Sequence, residues 1–126
     1  MKQIINTTKA PAPIGPYNQA VRVQNMLYVS GQIAIDPASG DIVQGDIRKE
    51  TQRVLLNIKE ILNAAGMNLN HVVKTTIFLI DMNNFNAVNE EYGIFFTTDY
   101  PARETVQVSR LPKDANVEIS VIASLT

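Results

Sequence analysis

The residues from 47 to 65 constrain the fold more than any other part of the sequence. Apolar or small side chains recur there every three or four positions, so they form one stripe along a helix. Asp46 is positioned as its N-cap, and Gly66 as the left-handed residue that ends it. A stripe this wide predicts a helix that lies on a β-sheet. The stripe consists of Ile47, Thr51, Val54, Leu55, Ile58, Ile61, Leu62 and Ala65.

Five runs of β-branched and apolar residues predict the strands of that sheet. The first two runs are separated only by Asn25, which predicts a hairpin. In the last run apolar and polar residues alternate, as in a strand with one packed face and one more polar face. The five runs are Ala20–Gln24, Met26–Ser30, Val72–Ile80, Arg103–Arg110 and Val117–Leu125.

A second helix is predicted after Asp81–Asn84, whose side chains can cap it, and Pro101 follows its end. The Pro-rich segment Ala10–Pro16 predicts an ordered, extended N-terminal loop. The order of strands, helix, strand, helix and strands predicts one α+β domain over residues 1–126, with a mixed sheet and two helices on one side. The apolar face of the second helix comprises Phe85, Val88, Tyr92, Phe95 and Phe96.

Composition excludes several classes of function. The 126 residues include no cysteine, which rules out disulfides, thiolate metal sites and a cysteine nucleophile. The net charge is −1, from 11 basic and 12 acidic residues with no basic run, so nucleic acid is not expected as a partner. No segment resembles a membrane span or a signal peptide, and we therefore expect a cytoplasmic protein without membrane association.

Cofactor-binding motifs are absent as well. The sequence has no phosphate loop, dinucleotide fingerprint, metalloprotease motif or nucleophile elbow, so neither a cofactor nor a metal is expected. His71 is the only histidine and lies at the edge of a predicted strand, where a surface role is more common than a catalytic one.

Two charged residues near the C-terminus could carry chemistry. Alternation places Arg103, Thr105 and Gln107 on one face of their strand, and Glu118 on the polar face of the last strand. An arginine facing out of a sheet suits a substrate carboxylate, and a glutamate in a cleft can position water and transfer a proton. The pattern by itself favours a simpler interpretation, in which both are solvated charges on an open sheet face.

Four motifs, in order along nearly the whole chain, change that interpretation. They are Ile14–Ala20 (IGPYNQA), Tyr28–Ile33 (YVSGQI), Phe85–Tyr92 (FNAVNEEY), and a C-terminal signature of Pro101–Arg103, Val106–Asp114 (VQVSRLPKD) and Val117–Ile119 (VEI). Together they resemble the RidA (YjgF-type) reactive-intermediate deaminase family.

The resemblance implies a homotrimer of a chorismate-mutase-like fold, in which sheets line a central barrel and three ligand clefts lie between subunits. It implies cofactor-free hydrolysis of short 2-imino acids, such as 2-iminopropanoate and 2-iminobutanoate, to 2-keto acids and ammonia. These imines are released by pyridoxal-phosphate dehydratases acting on Ser or Thr. The implied role is therefore protection against reactive by-products.

The resemblance also implies a catalytic pair. Arg103 would bind the substrate carboxylate in a bidentate manner, and Glu118 would position and activate water. If the last two strands form a hairpin, Glu118 lies opposite about Ser109, roughly 20 Å from Arg103 at about 3.4 Å per residue. Either the strands pair differently, or the two residues meet in one cleft from different subunits. We favour the second.

Five further residues are implied as substrate-binding. Backbone groups at two of them would donate to substrate oxygens, and the side chains of the other three would line the cleft. Many family members have Cys where this chain has Thr105, and threonine suffices if the position contributes mainly its backbone N–H and a small side chain. The five are Tyr17, Ser30, Gly31, Asn89 and Thr105.

Two alternatives to the enzyme remain open. A non-catalytic binder or sensor of small keto acids or carboxylates would need Arg103 but not Glu118. A ribonuclease or translation inhibitor, an activity ascribed to some relatives, is disfavoured by the net charge, the lack of a basic stripe and the lone histidine.

Overall fold

Six strands and two α-helices make up the chain in the computed structural model, which describes residues 1–126. The strands form one mixed sheet in the order β1-β2-β3-β6-β4-β5, in which only β4 and β5 run parallel. This confirms the predicted single-domain α+β architecture. The elements are β1 (Lys2–Ile5), β2 (Ala20–Val23), β3 (Met26–Gln32), α1 (Ile47–Ala64), β4 (Val72–Leu79), α2 (Phe85–Phe95), β5 (Ala102–Gln107) and β6 (Val117–Ser124).

Helix α1 has the predicted ends and the predicted face. The Asp46 side chain accepts hydrogen bonds from the backbone N–H groups of Arg48 and Lys49, and Gly66 has the positive φ of 74° that stops the helix. The apolar stripe packs on the sheet, and its central residues are fully buried. They are Val54, Leu55, Ile58, Ile61 and Leu62. Neither helix is long and apolar enough to cross a membrane.

The N-terminal half of the sheet confirms one prediction and adds a strand. Strands β2 and β3 form the expected hairpin, in which Val23 pairs with Met26. Strand β1 pairs antiparallel with β2 and was not predicted, because four residues at a chain end are too few to show a period.

The C-terminal half shows that β5 and β6 do not form a hairpin. Strand β4 lies between them, parallel to β5 and antiparallel to β6, and α2 is the crossover connection from β4 to β5. Strand β5 also ends at Gln107 rather than near Arg110. The hairpin estimate of the distance from Arg103 to Glu118 therefore does not apply.

The two faces of the sheet differ in what covers them. Residues paired across neighbouring strands lie on the same face of the sheet. Thr75 of β4 is buried, so its face is the one covered by the helices. Phe78, three positions further along β4, lies on the opposite, open face together with its partners Val106 and Glu118. Apolar side chains are exposed on the open face, among them Tyr28, whose exposed fraction is 48%, and Val106, with 41%.

Candidate active site

Glu118 is the second residue of the central strand β6 and lies directly against Gly31 of β3. The register between these strands shifts between Val29 and Gln32, which brings the Gly31 backbone close to the glutamate. A Cβ atom at position 31 would lie 2.6 Å from Oε2 of Glu118 and 2.8 Å from its Cδ. A side chain at position 31 would therefore displace the carboxyl group of Glu118.

The carboxyl group of Glu118 occupies a cleft of about 470 Å³ with mainly uncharged walls. Burial raises its pKa above the ordinary value for glutamate, and no hydrogen bond or ion pair within the chain offsets that burial. A partly desolvated carboxylate without a partner is a competent proton acceptor. The cleft is lined by Pro11, Ala12, Ile14, Tyr17, Gln19, Ser30, Gly31, Gln32, Ile33, Ile35, Pro112 and Glu118.

Two other predicted site residues line the same cleft. Tyr17 is 47% exposed, and its hydroxyl oxygen accepts a long hydrogen bond of 3.4 Å from the Ile14 backbone N–H. The hydroxyl of Ser30 donates to the Asn18 carbonyl at 2.6 Å, so its proton is already engaged and its oxygen remains free to accept. The structure thus brings Tyr17, Ser30, Gly31 and Glu118 together.

Arg103 belongs to a second cluster, between β5 and α2. Its Nη1 atom donates to Oδ1 of Asn89 at 2.8 Å, and its guanidinium carbon lies 4.8 Å from the ring centre of Tyr92 and 5.8 Å from that of Phe85. One polar contact and an aromatic platform orient the guanidinium, and most of its five N–H donors stay available for a bidentate ligand. A pocket of about 480 Å³ opens beside it.

The aromatic platform is part of the site that the sequence did not assign. Phe85 and Tyr92 were predicted only as the packing face of α2, although Asn89 lies between them at helical spacing. Tyr92 is itself fixed, because its hydroxyl shares a 2.9 Å hydrogen bond with the buried Thr75. Its pKa is raised by burial, while the Thr75 hydrogen bond and the nearby Arg103 charge act in the opposite direction.

Thr105 lies two residues after Arg103 and on the same face of β5. Its hydroxyl oxygen is buried and has no hydrogen-bond partner in the chain. Buried hydroxyl groups are rarely left unpaired, so this atom is one that a bound molecule or a neighbouring chain could satisfy.

Within one chain, Arg103 and Glu118 do not share a cleft. Arg103 pairs with Thr75 of β4 on the helix-covered face, whereas Glu118 pairs with Phe78 on the open face. The two side chains therefore project from opposite faces of the sheet, two strands and three residue positions apart. Across all 126 residues, no three His, Cys, Asp or Glu side chains are grouped as metal ligands.

The contact between Gly31 and Glu118 yields a testable expectation. Gly31→Ala should lower the free energy of unfolding by about 1 kcal/mol, because either the carboxyl group or the β3 backbone must move. In a Glu118→Ala background the same change should be neutral or stabilising, which urea titration of the four proteins would show. Gly93→Ala is the control, since a Cβ atom there meets nothing within 4 Å. An equal loss in both backgrounds would contradict the contact.

Comparison with known proteins covers nearly the whole chain. The family model described as endoribonuclease L-PSP matches residues 7–125. A RutC family protein of Pyrococcus horikoshii is 54% identical over 98% of both chains. The 2-iminobutanoate/2-iminopropanoate deaminase of Mus musculus is 50% identical over 98% of this chain and 91% of its own.

Solved structures agree with these matches. A Yersinia pestis protein of the conserved Rid family, YyfA, superposes with a TM-score of 0.97 at 50% identity and covers 99% of this chain and 100% of its own. The structure of E. coli TdcF with bound serine has a TM-score of 0.95 at 42% identity, covering 98% of this chain and 99% of its own.

Proposed function

The chain belongs to the RidA (YjgF-type) family, whose model is described as endoribonuclease L-PSP, and from this premise we propose that it hydrolyses short 2-imino acids to 2-keto acids and ammonia. The observation that carries the proposal is Glu118, a half-buried carboxyl group with a raised pKa and no partner in the chain. Mammalian relatives about 50% identical are named 2-iminobutanoate/2-iminopropanoate deaminase, which supports the same activity.

In the proposed reaction Arg103 binds the substrate carboxylate. Its guanidinium is held by Asn89 and the Tyr92 ring, so two N–H groups can face the two carboxylate oxygens without further ordering. Fixing the carboxylate orients the imine carbon toward the water held at Glu118, which turns an encounter in solution into an oriented one.

Glu118 then serves as base and as acid in turn. As carboxylate it takes a proton from water while the water oxygen bonds to the imine carbon, and it passes that proton to the imine nitrogen, which gives a carbinolamine. It then takes the hydroxyl proton and passes it to the amine nitrogen, the C–N bond breaks with its electron pair on nitrogen, and ammonia leaves as the keto group forms. The reaction consumes only water, and we propose no cofactor and no metal. Thr105, Ser30 and Tyr17 would add contacts to the bound substrate.

We also propose that the active form is a homotrimer with its sites between subunits. Arg103 and Glu118 project from opposite faces of one sheet, so one substrate can meet both only if a neighbouring chain supplies one of them. Exposed apolar side chains on the open face, such as Tyr28 and Val106, offer a surface that association would cover.

The oligomer has a direct test. The sedimentation mass at micromolar concentration should be about 42 kDa, three times the chain mass of 13.9 kDa. A mass near that of a single chain would contradict the shared site, whereas the fold would be unaffected.

A nuclease activity has less support in this chain. The only histidine, His71, uses Nδ1 to accept a hydrogen bond from the Asn68 backbone N–H in a capping box, which engages one of its two nitrogens. The net charge of −1 also provides little attraction for a phosphate backbone.

The main alternative to the enzyme is a protein that binds small carboxylates without converting them, and Glu118 variants distinguish the two. For the enzyme, we propose a cytoplasmic location beside the dehydratases that release its substrates.

The function is tested by a coupled assay. A pyridoxal-phosphate dehydratase supplied with Ser or Thr releases the imine, and the purified protein should accelerate keto-acid appearance above the uncatalysed rate. The effect should scale with protein concentration and should also be seen as faster loss of the imine itself. No acceleration with correctly folded protein would favour the binder.

A further inference from the structure

The outer wall of the Glu118 cleft is built from a segment without helix or strand. Pro11, Ala12, Ile14 and Tyr17 line the cleft, yet the chain between β1 and β2 makes no sheet or helix hydrogen bonds of its own. Something outside regular secondary structure must therefore hold this wall in place.

The side chain of Gln19 provides that support. It is 1% exposed and binds the backbone at three residues, of which the last, Pro11, belongs to the wall and the other two precede it in the loop. Its Oε1 accepts from the Thr7 N–H at 2.6 Å, and its Nε2 donates to the carbonyl oxygens of Thr7 at 3.0 Å, Ala10 at 3.2 Å and Pro11 at 2.7 Å. One buried amide thus contacts four backbone groups, and the two N–H groups of Nε2 are shared among three carbonyl oxygens.

The backbone of Gln19 joins the wall to the strand beside Glu118. Its carbonyl accepts from the Ser30 N–H at 2.9 Å, next to Gly31, and its own N–H donates to Oδ1 of Asn6 at 2.9 Å. Gln19 therefore connects the cleft wall to the part of β3 where the register with β6 shifts.

We propose that Gln19 is a positioning residue, which holds the Thr7–Pro11 segment in place and thereby keeps the cleft wall over Glu118 and bulk water away from its carboxyl group. The proposal deepens the proposed function, because it assigns Gln19 to the proton transfer at Glu118 and rests on that role. Gln19 itself does not touch the reacting atoms.

Solvent exclusion is the property that Gln19 would control. Burial is what raises the pKa of Glu118, and Tyr17 is the only other titratable residue lining the cleft. Two ion pairs lie on the neighbouring elements: Glu104 with Lys74 on the open sheet face, and Arg110 with Asp114 between β5 and β6. Arg22 of β2 and Lys113, next to the cleft-lining Pro112, form no ion pair, and neither lines the cleft. Releasing the wall should thus lower the pKa of Glu118 toward that of an exposed glutamate.

The test replaces Gln19 with residues that cannot hold the wall. Gln19→Met keeps the length and neutrality of the side chain but loses its hydrogen bonds, and Gln19→Asn keeps the amide but is too short to reach all the backbone groups. Gln52→Met is the matched control, because it removes one glutamine hydrogen bond, to Glu91, between α1 and α2. The pKa of Glu118 is read by carbon-13 NMR of its carboxyl, assigned with Glu118→Gln.

We expect the pKa of Glu118 to fall in both Gln19 variants and to stay unchanged in Gln52→Met. Because the carboxylate is the active base, the acidic limb of the pH–rate profile should move to lower pH by the same amount, and kcat/KM should fall about 10-fold to 100-fold. A folded Gln19→Asn protein with an unchanged Glu118 pKa would overturn the inference, even if Gln19→Met does not fold. If the wild-type protein hydrolyses no imine, the proposed function fails, but the NMR titration still decides the role of Gln19.

Discussion

Arg103→Ala should lower kcat/KM for imine hydrolysis by at least about 100-fold, which corresponds to about 2.7 kcal/mol of transition-state stabilisation. The change removes the only cation that faces the pocket formed by α2 and β5, so the substrate carboxylate loses its anchor. Steady-state kinetics in the coupled assay, together with calorimetric titration of pyruvate, would measure both effects. The sedimentation mass and circular dichroism should not change.

Two further variants sharpen this result. Arg103→Lys should recover little activity, because an ammonium group cannot reproduce the planar, two-pronged contact. Arg110→Ala is the matched control: Arg110 forms an exposed ion pair with Asp114 at 2.7 Å, and its loss should leave the kinetics unchanged. Near-normal turnover by Arg103→Lys would show that the bidentate model is wrong.

Glu118→Gln should retain binding of pyruvate-like carboxylates but lose about 100-fold to 10,000-fold in kcat, the usual contribution of a general acid–base group. The amide preserves the shape beside Gly31 but cannot take a proton from water. Calorimetry measures the binding and the coupled assay measures the turnover. Normal turnover by Glu118→Gln would remove the water-activation role and favour the sensor.

Mixing the two inactive proteins tests whether the site is shared. If one chain supplies Arg103 and its neighbour Glu118, every mixed trimer of Arg103→Ala and Glu118→Gln chains contains one intact site of three. Random reassembly of equal amounts should then recover about one quarter of wild-type activity, since about three quarters of the trimers are mixed. Sites formed within one chain would recover none.

The reciprocal mixture is the control for reassembly. Wild-type chains mixed equally with the double variant should show about one quarter of the activity of an all-wild-type sample if sites are shared, and about one half if they are not. Mixed trimers that form, verified by differential tagging, but remain inactive would contradict the shared site.

Periodicity predicted most of the fold because the buried side chains repeat along each element. The stripe on α1 and the alternation in β6 each follow a single period, so the element and its packed face could be inferred together. The pairing of β5 was not predictable in this way, since the same alternation serves a hairpin and a parallel crossover strand. The structure decides between them: β4 lies between β5 and β6, and α2 connects it to its parallel partner β5.

The residue types proposed for the site could be inferred from the sequence, but their arrangement in the fold could not. The alternation in β5 and β6 placed Arg103 and Glu118 on polar faces, yet it could not show that these are opposite faces of one sheet. The tight contact between Gly31 and Glu118 depends on a register shift in β3, and the support from Gln19 depends on a loop fold. Neither leaves a periodic trace in the sequence.

The two clusters also differ in how far apart their members lie along the chain. Asn89 and Arg103 are 14 residues apart within one strand–helix–strand unit, whereas Tyr17 and Glu118 are separated by 118 − 17 = 101 residues. Closing the longer loop costs about 1.7 kcal/mol more in free energy, because more chain entropy is lost. The cluster around Arg103 should therefore become ordered earlier during folding. A newly made chain would then order the arginine pocket before the glutamate cleft, and pulse-labelled hydrogen exchange would show α2 and β5 protected before the Ser30 N–H, which donates to the Gln19 carbonyl beside that cleft.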